Sequence, residues 1–136
     1  MAAALLSLIG CAGAVPSLGV RDGRLVACPA SPNCVSSQAG DERHRIAPLA
    51  YTGAADLAFG KLKELLRRRS DTRIVEEREG YLRVEFHTLL FVDDSEFLLD
   101  RKGSAIQVRS ASRLGYSDLG KNRSRMEEIR REFGKS

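Results

Sequence analysis

Tryptophan is absent from the 136 residues, histidine occurs only twice, and the aromatic share is 6%. No lysine or arginine comes before Arg21. Each shortage excludes something. With few aromatics and none interleaved with its basic residues, the chain lacks the stacking surface of a nucleic-acid binder, and a formal charge of +4 is too small to argue for one. Three cysteines and two histidines hold no second close pair, so a structural zinc site would have only Cys28, Cys34 and His44 to draw on. There is no Gly-x-Ser-x-Gly elbow. Nor does any period of 20–50 residues recur, which argues against a repeat array.

What remains is ordinary globular composition, 43% hydrophobic and 29% charged, in one domain's length of chain. Much of the basic excess lies in 61–69 and 121–135. A mild excess of this kind fits anionic lipid or cell-wall polymer.

Residues 1–10 are uncharged and end in Leu8-Ile9-Gly10, followed by Cys11. Two apolar residues, a small one and a cysteine form a lipobox, so 1–10 reads as a lipoprotein signal segment, with Cys11 as the lipidation site and 11–27 as linker. The missing basic start is the departure: either translation begins upstream of Met1, or the segment is a simple anchor or cleaved signal. Pro16 and three glycines weaken 2–20 as a spanning helix. The expected location is the cell envelope, membrane-anchored and facing the periplasm.

With Cys11 assigned to lipid, Cys28 and Cys34 are left as a pair six residues apart, with two prolines between them. A disulfide is the preferred reading in an oxidising compartment, and closing so short a loop stabilises by roughly 2–2.5 kcal/mol at most. Zinc ligation, a redox-active pair and reduced buried thiols are the alternatives.

Regular structure begins near Gly53. Leu57, Lys61, Leu62, Leu65 and Leu66 recur at helical spacing, which predicts a helix over 54–69 ending in cations that suit its negative dipole end. Strand-like runs follow at 73–78, 81–92, 96–101 and 105–111. They are separated by the turn dipeptides Glu79-Gly80, Asp93-Asp94 and Lys102-Gly103. Leu82, Val84, Phe86, Thr88 and Leu90, with Phe97, Leu99, Ile106 and Val108, form an apolar face. The opposite face is polar and reads as solvated, setting His87 against Asp100 and Glu96 against Arg109. A second helix is capped by Ser117 or Asp118 and lined by Leu119, Met126, Ile129 and Phe133. Val35, Ile46 and Leu49 wrap an irregular segment onto the domain. The expected fold is a two-layer α+β domain over 28–136: a four-stranded antiparallel meander, two helices on one face, and an N-terminal Cys-loop.

The densest chemistry lies in 109–123. Arginines, serines and a helix N-terminus brought together favour an anion. The candidate ligand-binding set is Arg109, Ser110, Ser112, Arg113, Ser117, Asp118, Asn122 and Arg123. The bland reading of the same residues is a structural latch, with Arg109 on Glu96, Arg113 on Asp93 or a loop carbonyl, and Ser117 and Asp118 as caps. Asp93, Asp94 and Glu96 are weak calcium candidates beside a charged turn. Carboxylate pairs for glycoside cleavage are indistinguishable from surface charge.

Cys28-Pro29, Ser31-Pro32-Asn33-Cys34-Val35-Ser36-Ser37, the Phe91-x-Asp93-Asp94-x-Glu96-Phe97 stretch and the Arg109 to Arg123 string resemble the family of domain of unknown function 1499 over 28–133. The resemblance implies a small exported or membrane-anchored domain of bacteria, with plastid relatives, and carries no reaction or cofactor with it. The first functional reading is therefore an envelope lipoprotein domain that binds an anionic small molecule, lipid or cell-wall component through 109–123. The alternative is a structural or protein-interaction module without ligand. A hydrolase using His87 and Ser110 or Ser112 has thin support. No cofactor, metal or nucleic acid is called for.

Overall fold

The computed structural model describes residues 13–135, so the signal segment and Cys11 lie outside the described residues. The elements in chain order are β1 (Val20–Arg21), β2 (Arg24–Leu25), β3 (Cys34–Ser36), β4 (Leu49–Ala50), α1 (Ala55–Arg68), β5 (Thr72–Arg78), β6 (Tyr81–His87), β7 (Val92–Asp100), β8 (Ala105–Ser112) and α2 (Lys121–Lys135). The fold is α+β with two helices. Its main sheet has six strands rather than four: β3-β8-β7-β6-β5 in order, with β4 also on β8. The antiparallel meander is present. The two added strands are two and three residues long and pair with the outer edge of β8, which would otherwise expose unpaired backbone groups. Strands so short have no hydrophobic period to announce them.

The turns decide the register. Gly80 takes a φ of 68°, which a side chain would resist, and joins β5 to β6 where expected. The β7–β8 turn spans 101–104 and sets Glu96 opposite Arg109, also as expected. The β6–β7 turn is not Asp93-Asp94. β6 ends at His87, and the turn is 88–91, where Thr88 N–H donates to the Phe91 carbonyl at 2.9 Å. His87 therefore faces Val92, not Asp100. Consecutive aspartates suit turns because burying a carboxylate is costly. Here both are buried inside β7, and each meets an arginine.

Leu62, Leu66, Leu82, Val84, Phe86, Phe97, Ile106, Val108, Met126 and Ile129 make the core between sheet and helices, with Val35, Ile46 and Leu49 packed in as expected. Leu57 is exposed on α1, Thr88 and Leu90 sit in the turn, and Leu119 precedes α2 instead of lining it. Arg125 occupies the apolar side of α2 in its place.

The other face of the sheet is not open to solvent. Residues 13–25 run across it as a strap, in which β1 and β2 pair as a small hairpin. Gly19 N–H donates to Glu96 Oε2 at 3.0 Å, and Leu25 is buried. Beneath the strap Tyr81, Glu96 and Arg109 are 2%, 0% and 5% exposed.

Candidate functional site

Side chains alternate across a strand, so 109–113 cannot deliver all its polar groups to one place. Ser110 and Ser112 face the helices, whereas Arg109 and Arg113 face the strap side.

On the helix side, Ser110 Oγ is bonded to Ser95 Oγ at 2.6 Å and donates to Asn122 Oδ1. The Asn122 amide donates to Ser112 Oγ at 3.0 Å and to Asp118 Oδ2 at 2.8 Å. Arg125 donates to Asp93 Oδ2 at 2.8 Å, reaches Asn122 Oδ1 at 3.3 Å, and stacks over the Phe86 ring at 4.5 Å. Asp118 also accepts from the Asn122 and Gly120 backbone N–H groups, and these bonds outweigh its burial and hold its carboxyl below the usual range. Ser117 Oγ accepts from Leu119 N–H, which completes the turn into α2.

The Cys-loop is tied to the same cluster. Cys28 and Cys34 form a disulfide with Cα atoms 5.8 Å apart. Asn33 accepts from Ser112 N–H at 3.1 Å through its carbonyl, and its amide donates to the Gly115 carbonyl at 2.7 Å. His44 is spent holding this loop, with Nε2 at 2.9 Å from the Ser31 carbonyl and Nδ1 at 2.7 Å from Asp41. It is thus no partner for the cysteines.

On the strap side, Arg113 is clamped between two carboxylates. Its Nε and Nη2 donate to Asp94 at 2.7 and 3.0 Å, and Nη2 also reaches Glu85 at 3.0 Å. The Asp94 hydrogen bonds raise the Arg113 pKa despite burial. Arg83 approaches Asp94 at 3.4 Å, and His87 meets Glu85 at 3.0 Å. Further along, Tyr81 OH donates to Glu96 Oε2 at 2.7 Å, while Arg109 Nη1 stands 3.9 Å from Oε1. Glu96 Oε1, Arg109 Nε and Arg83 Nε have no hydrogen-bond partner among the described residues. Burial pushes the Glu96 carboxyl up against the pull of Tyr81 and Arg109, and pushes the Arg109 guanidinium down.

Arg123, the last of the candidate set, donates to the carbonyls of Arg45 and Arg43 at 2.8 and 3.0 Å. The eight candidates therefore divide between two buried networks and a helix start, and do not line one pocket. His87 lies on the strap side and Ser110 and Ser112 on the helix side, so the sheet itself separates the hydrolase pair. Asp93 likewise faces away from Asp94 and Glu96, which separates the calcium candidates. Asn33, Tyr81 and Arg125 belong to these networks but not to the sequence-derived set. Arg125 could have been found, because it stands four residues before Ile129, on the same side of α2.

A concavity lies elsewhere. A cleft of about 1030 Å³ opens at the β7–β8 turn, lined among others by Arg24, Arg45, Arg101, Lys102, Asp100 and Gln107.

No curated protein and no solved structure matches the chain. The model of one family matches residues 24–133, most of the length. By that match the chain belongs to the family of proteins of unknown function DUF1499.

Proposed function

We propose that this chain is a membrane-tethered, non-catalytic interaction module of an oxidising envelope compartment, in which 109–123 is an internal latch. The observation that carries this reading is the fate of the guanidinium groups. Arg113 is held by Asp94 and Glu85, Arg123 by two backbone carbonyls, and Arg109 is covered by the strap. Arg113 Nε and Nη2 and both Nη groups of Arg123 are committed inside the fold, Arg109 lies beneath the strap, and pulling Arg113 out would strand a buried carboxylate. The separation of His87 from Ser110 supports the non-catalytic part. The Cys28–Cys34 disulfide supports an oxidising compartment, and Leu8-Ile9-Gly10-Cys11 supports the tether.

A second reading keeps an anionic envelope component as partner but seats it in the cleft, where four cations face Glu79 and Asp100. Thermal unfolding with phosphate, phosphoglycerol headgroups and cell-wall fragments separates the readings. A ligand at a hundred times its dissociation constant adds about 2.7 kcal/mol, which moves the midpoint by several degrees. The latch reading expects no shift that depends on Arg113. A shift abolished by a folded Arg113→Ala variant would overturn it. A shift abolished by Arg24→Ala and kept by Arg113→Ala would assign the ligand to the cleft.

A further inference from the structure

Ten large hydrophobic side chains are exposed among the described residues, and six of them belong to two loops: Leu89, Leu90 and Phe91 in 88–91, and Leu114, Tyr116 and Leu119 in 113–120. Leu89 is 98% exposed and Leu119 96%. Single exposed apolar residues scattered over a surface need no explanation, but a cluster does.

The two loops are neighbours. Ser112 pairs with Asp93, and Arg113 N–H donates to the Val92 carbonyl at 3.3 Å, so both loops leave the same end of the sheet side by side. The 88–91 loop is held in shape by Thr88, whose Oγ1 accepts from Phe91 N–H at 3.2 Å while its own N–H reaches the Phe91 carbonyl. Leu89 and Leu90 are thereby fixed at its tip.

A second observation bears on the occupant. The uncharged segment 1–12 joins the described structure at Gly13, and Gly13 packs against one of these loops. A Cβ added to it would lie 3.0 Å from Leu114, and its φ of 81° is one that side chains resist. The strap then runs away from this end, past Glu96 at Gly19, to the cleft at Gly23 and Arg24. The apolar loops thus stand beside Gly13, where a tether at Cys11 would join the domain.

The charges at this end fit an anionic surface. His87 N–H donates to the Asp71 carbonyl, which places the C-terminus of α1 here, and the start of α2 follows the 113–120 loop. Asp71 is engaged by Arg69 and Asp118 by the first turn of α2. Arg68 and Lys121 are exposed, and no ion pair among the described residues engages them. Apolar tips with nearby cations and a tyrosine match the interface of an anionic bilayer.

We infer that loops 88–91 and 113–120 form a membrane-docking face that inserts into an anionic lipid surface. The domain would then stand on the bilayer holding its tether, with the cleft at the far end of the sheet. β7 alone, at about 3.3 Å per residue, separates the two ends by roughly 26 Å. This inference rests on reading Cys11 as the site of a membrane tether, so its test must score tether and loops separately.

The absence of tryptophan supplies the probe. In the protein lipidated at Cys11, Leu90→Trp places a reporter at the loop tip and Lys102→Trp one at the far turn, both at exposed positions. Each protein is mixed with phosphatidylcholine vesicles, with and without phosphatidylglycerol. Flotation reads the anchor and tryptophan emission reads the loops. The expected result is flotation, with a shift to shorter wavelength at position 90, larger with phosphatidylglycerol, and no shift at position 102. Arg68→Glu with Lys121→Glu should reduce the shift to that seen on neutral vesicles. Flotation with no change at position 90 would overturn the docking face and leave the anchor standing. Failure of both would overturn both. A concentration-dependent shift at position 90 without vesicles would show a second copy covering the loops, and would also overturn the proposal.

Discussion

Asp93 and Asp94 are adjacent in the chain, point to opposite sides of the sheet, and each holds a buried arginine. Asp93 takes Arg125 at 2.8 Å beneath the helices, and Asp94 takes Arg113 at 2.7 Å beneath the strap. One pair of residues thus fastens α2 to one face and the β8–α2 loop to the other. Removing one partner of a buried pair leaves the other charge uncompensated, at a cost of about 3–5 kcal/mol. We expect Arg125→Ala to lose that much in urea unfolding, part of it through the lost contact with Phe86. A loss below about 1 kcal/mol would mean the pair is not a fastening point.

Asn122 is the hub of the helix-side network, bonded to Ser110, Ser112 and Asp118. Asn122→Ala takes the amide from Ser112 Oγ and one bond each from Ser110, which keeps Ser95, and Asp118, which keeps two backbone N–H groups, and an unsatisfied buried group costs about 1–3 kcal/mol. The expected outcome is a lower melting temperature, together with faster amide exchange in the Cys-loop, because Asn33 bonds to the same β8–α2 segment. Unchanged exchange at residues 31–36 would show that the Cys-loop does not depend on the network.

Reducing the Cys28–Cys34 bond releases a constraint worth roughly 2–2.5 kcal/mol by chain entropy. We expect reductant to lower the urea midpoint by the corresponding amount and a Cys28→Ser, Cys34→Ser variant to be insensitive to it. Equal midpoints with and without reductant would contradict this.

Burial holds the Glu96 carboxyl above its ordinary value of 4.5. The folded protein therefore binds this proton more tightly than the unfolded chain does. The stability that follows is complete below about pH 4.5 and is lost as pH rises through the folded value. Asp118, held low, works in the opposite sense, with its contribution lost in acid. Comparison with Glu96→Gln isolates the Glu96 part. The stability of the wild type relative to the variant should decline from about pH 4.5 upward and then level off. A constant difference across that range would refute it.

The meander, both helices and the disulfide could be read from the chain because each leaves a local mark. Leu82, Val84 and Phe86 alternate, Leu62, Leu65 and Leu66 recur at helical spacing, and two cysteines flank Pro29 and Pro32. The candidate site could not be read in the same way. Arg109 to Arg113 looks like one cluster in sequence, but the strand splits it by alternation. Asp93-Asp94 looks like a turn because the arginines that make its burial tolerable are 19 and 32 positions away in the chain. In the sequence the strap reads as linker because residues 13–25 carry no periodicity. The face they cover therefore reads as solvated, although the Glu96–Arg109 register follows from the sequence and is observed.

The latch is tested most directly by a double-mutant cycle on Arg113 and Asp94, using Arg113→Met, Asp94→Leu and the double variant, with unfolding free energies measured with and without phosphate. We expect each single change to cost several kcal/mol, the double to cost less than the two summed, and a coupling of at least about 1.5 kcal/mol that phosphate leaves unchanged. Near-zero coupling, with phosphate stabilising the wild type but not Arg113→Met, would contradict the latch and restore an anion site at Arg113.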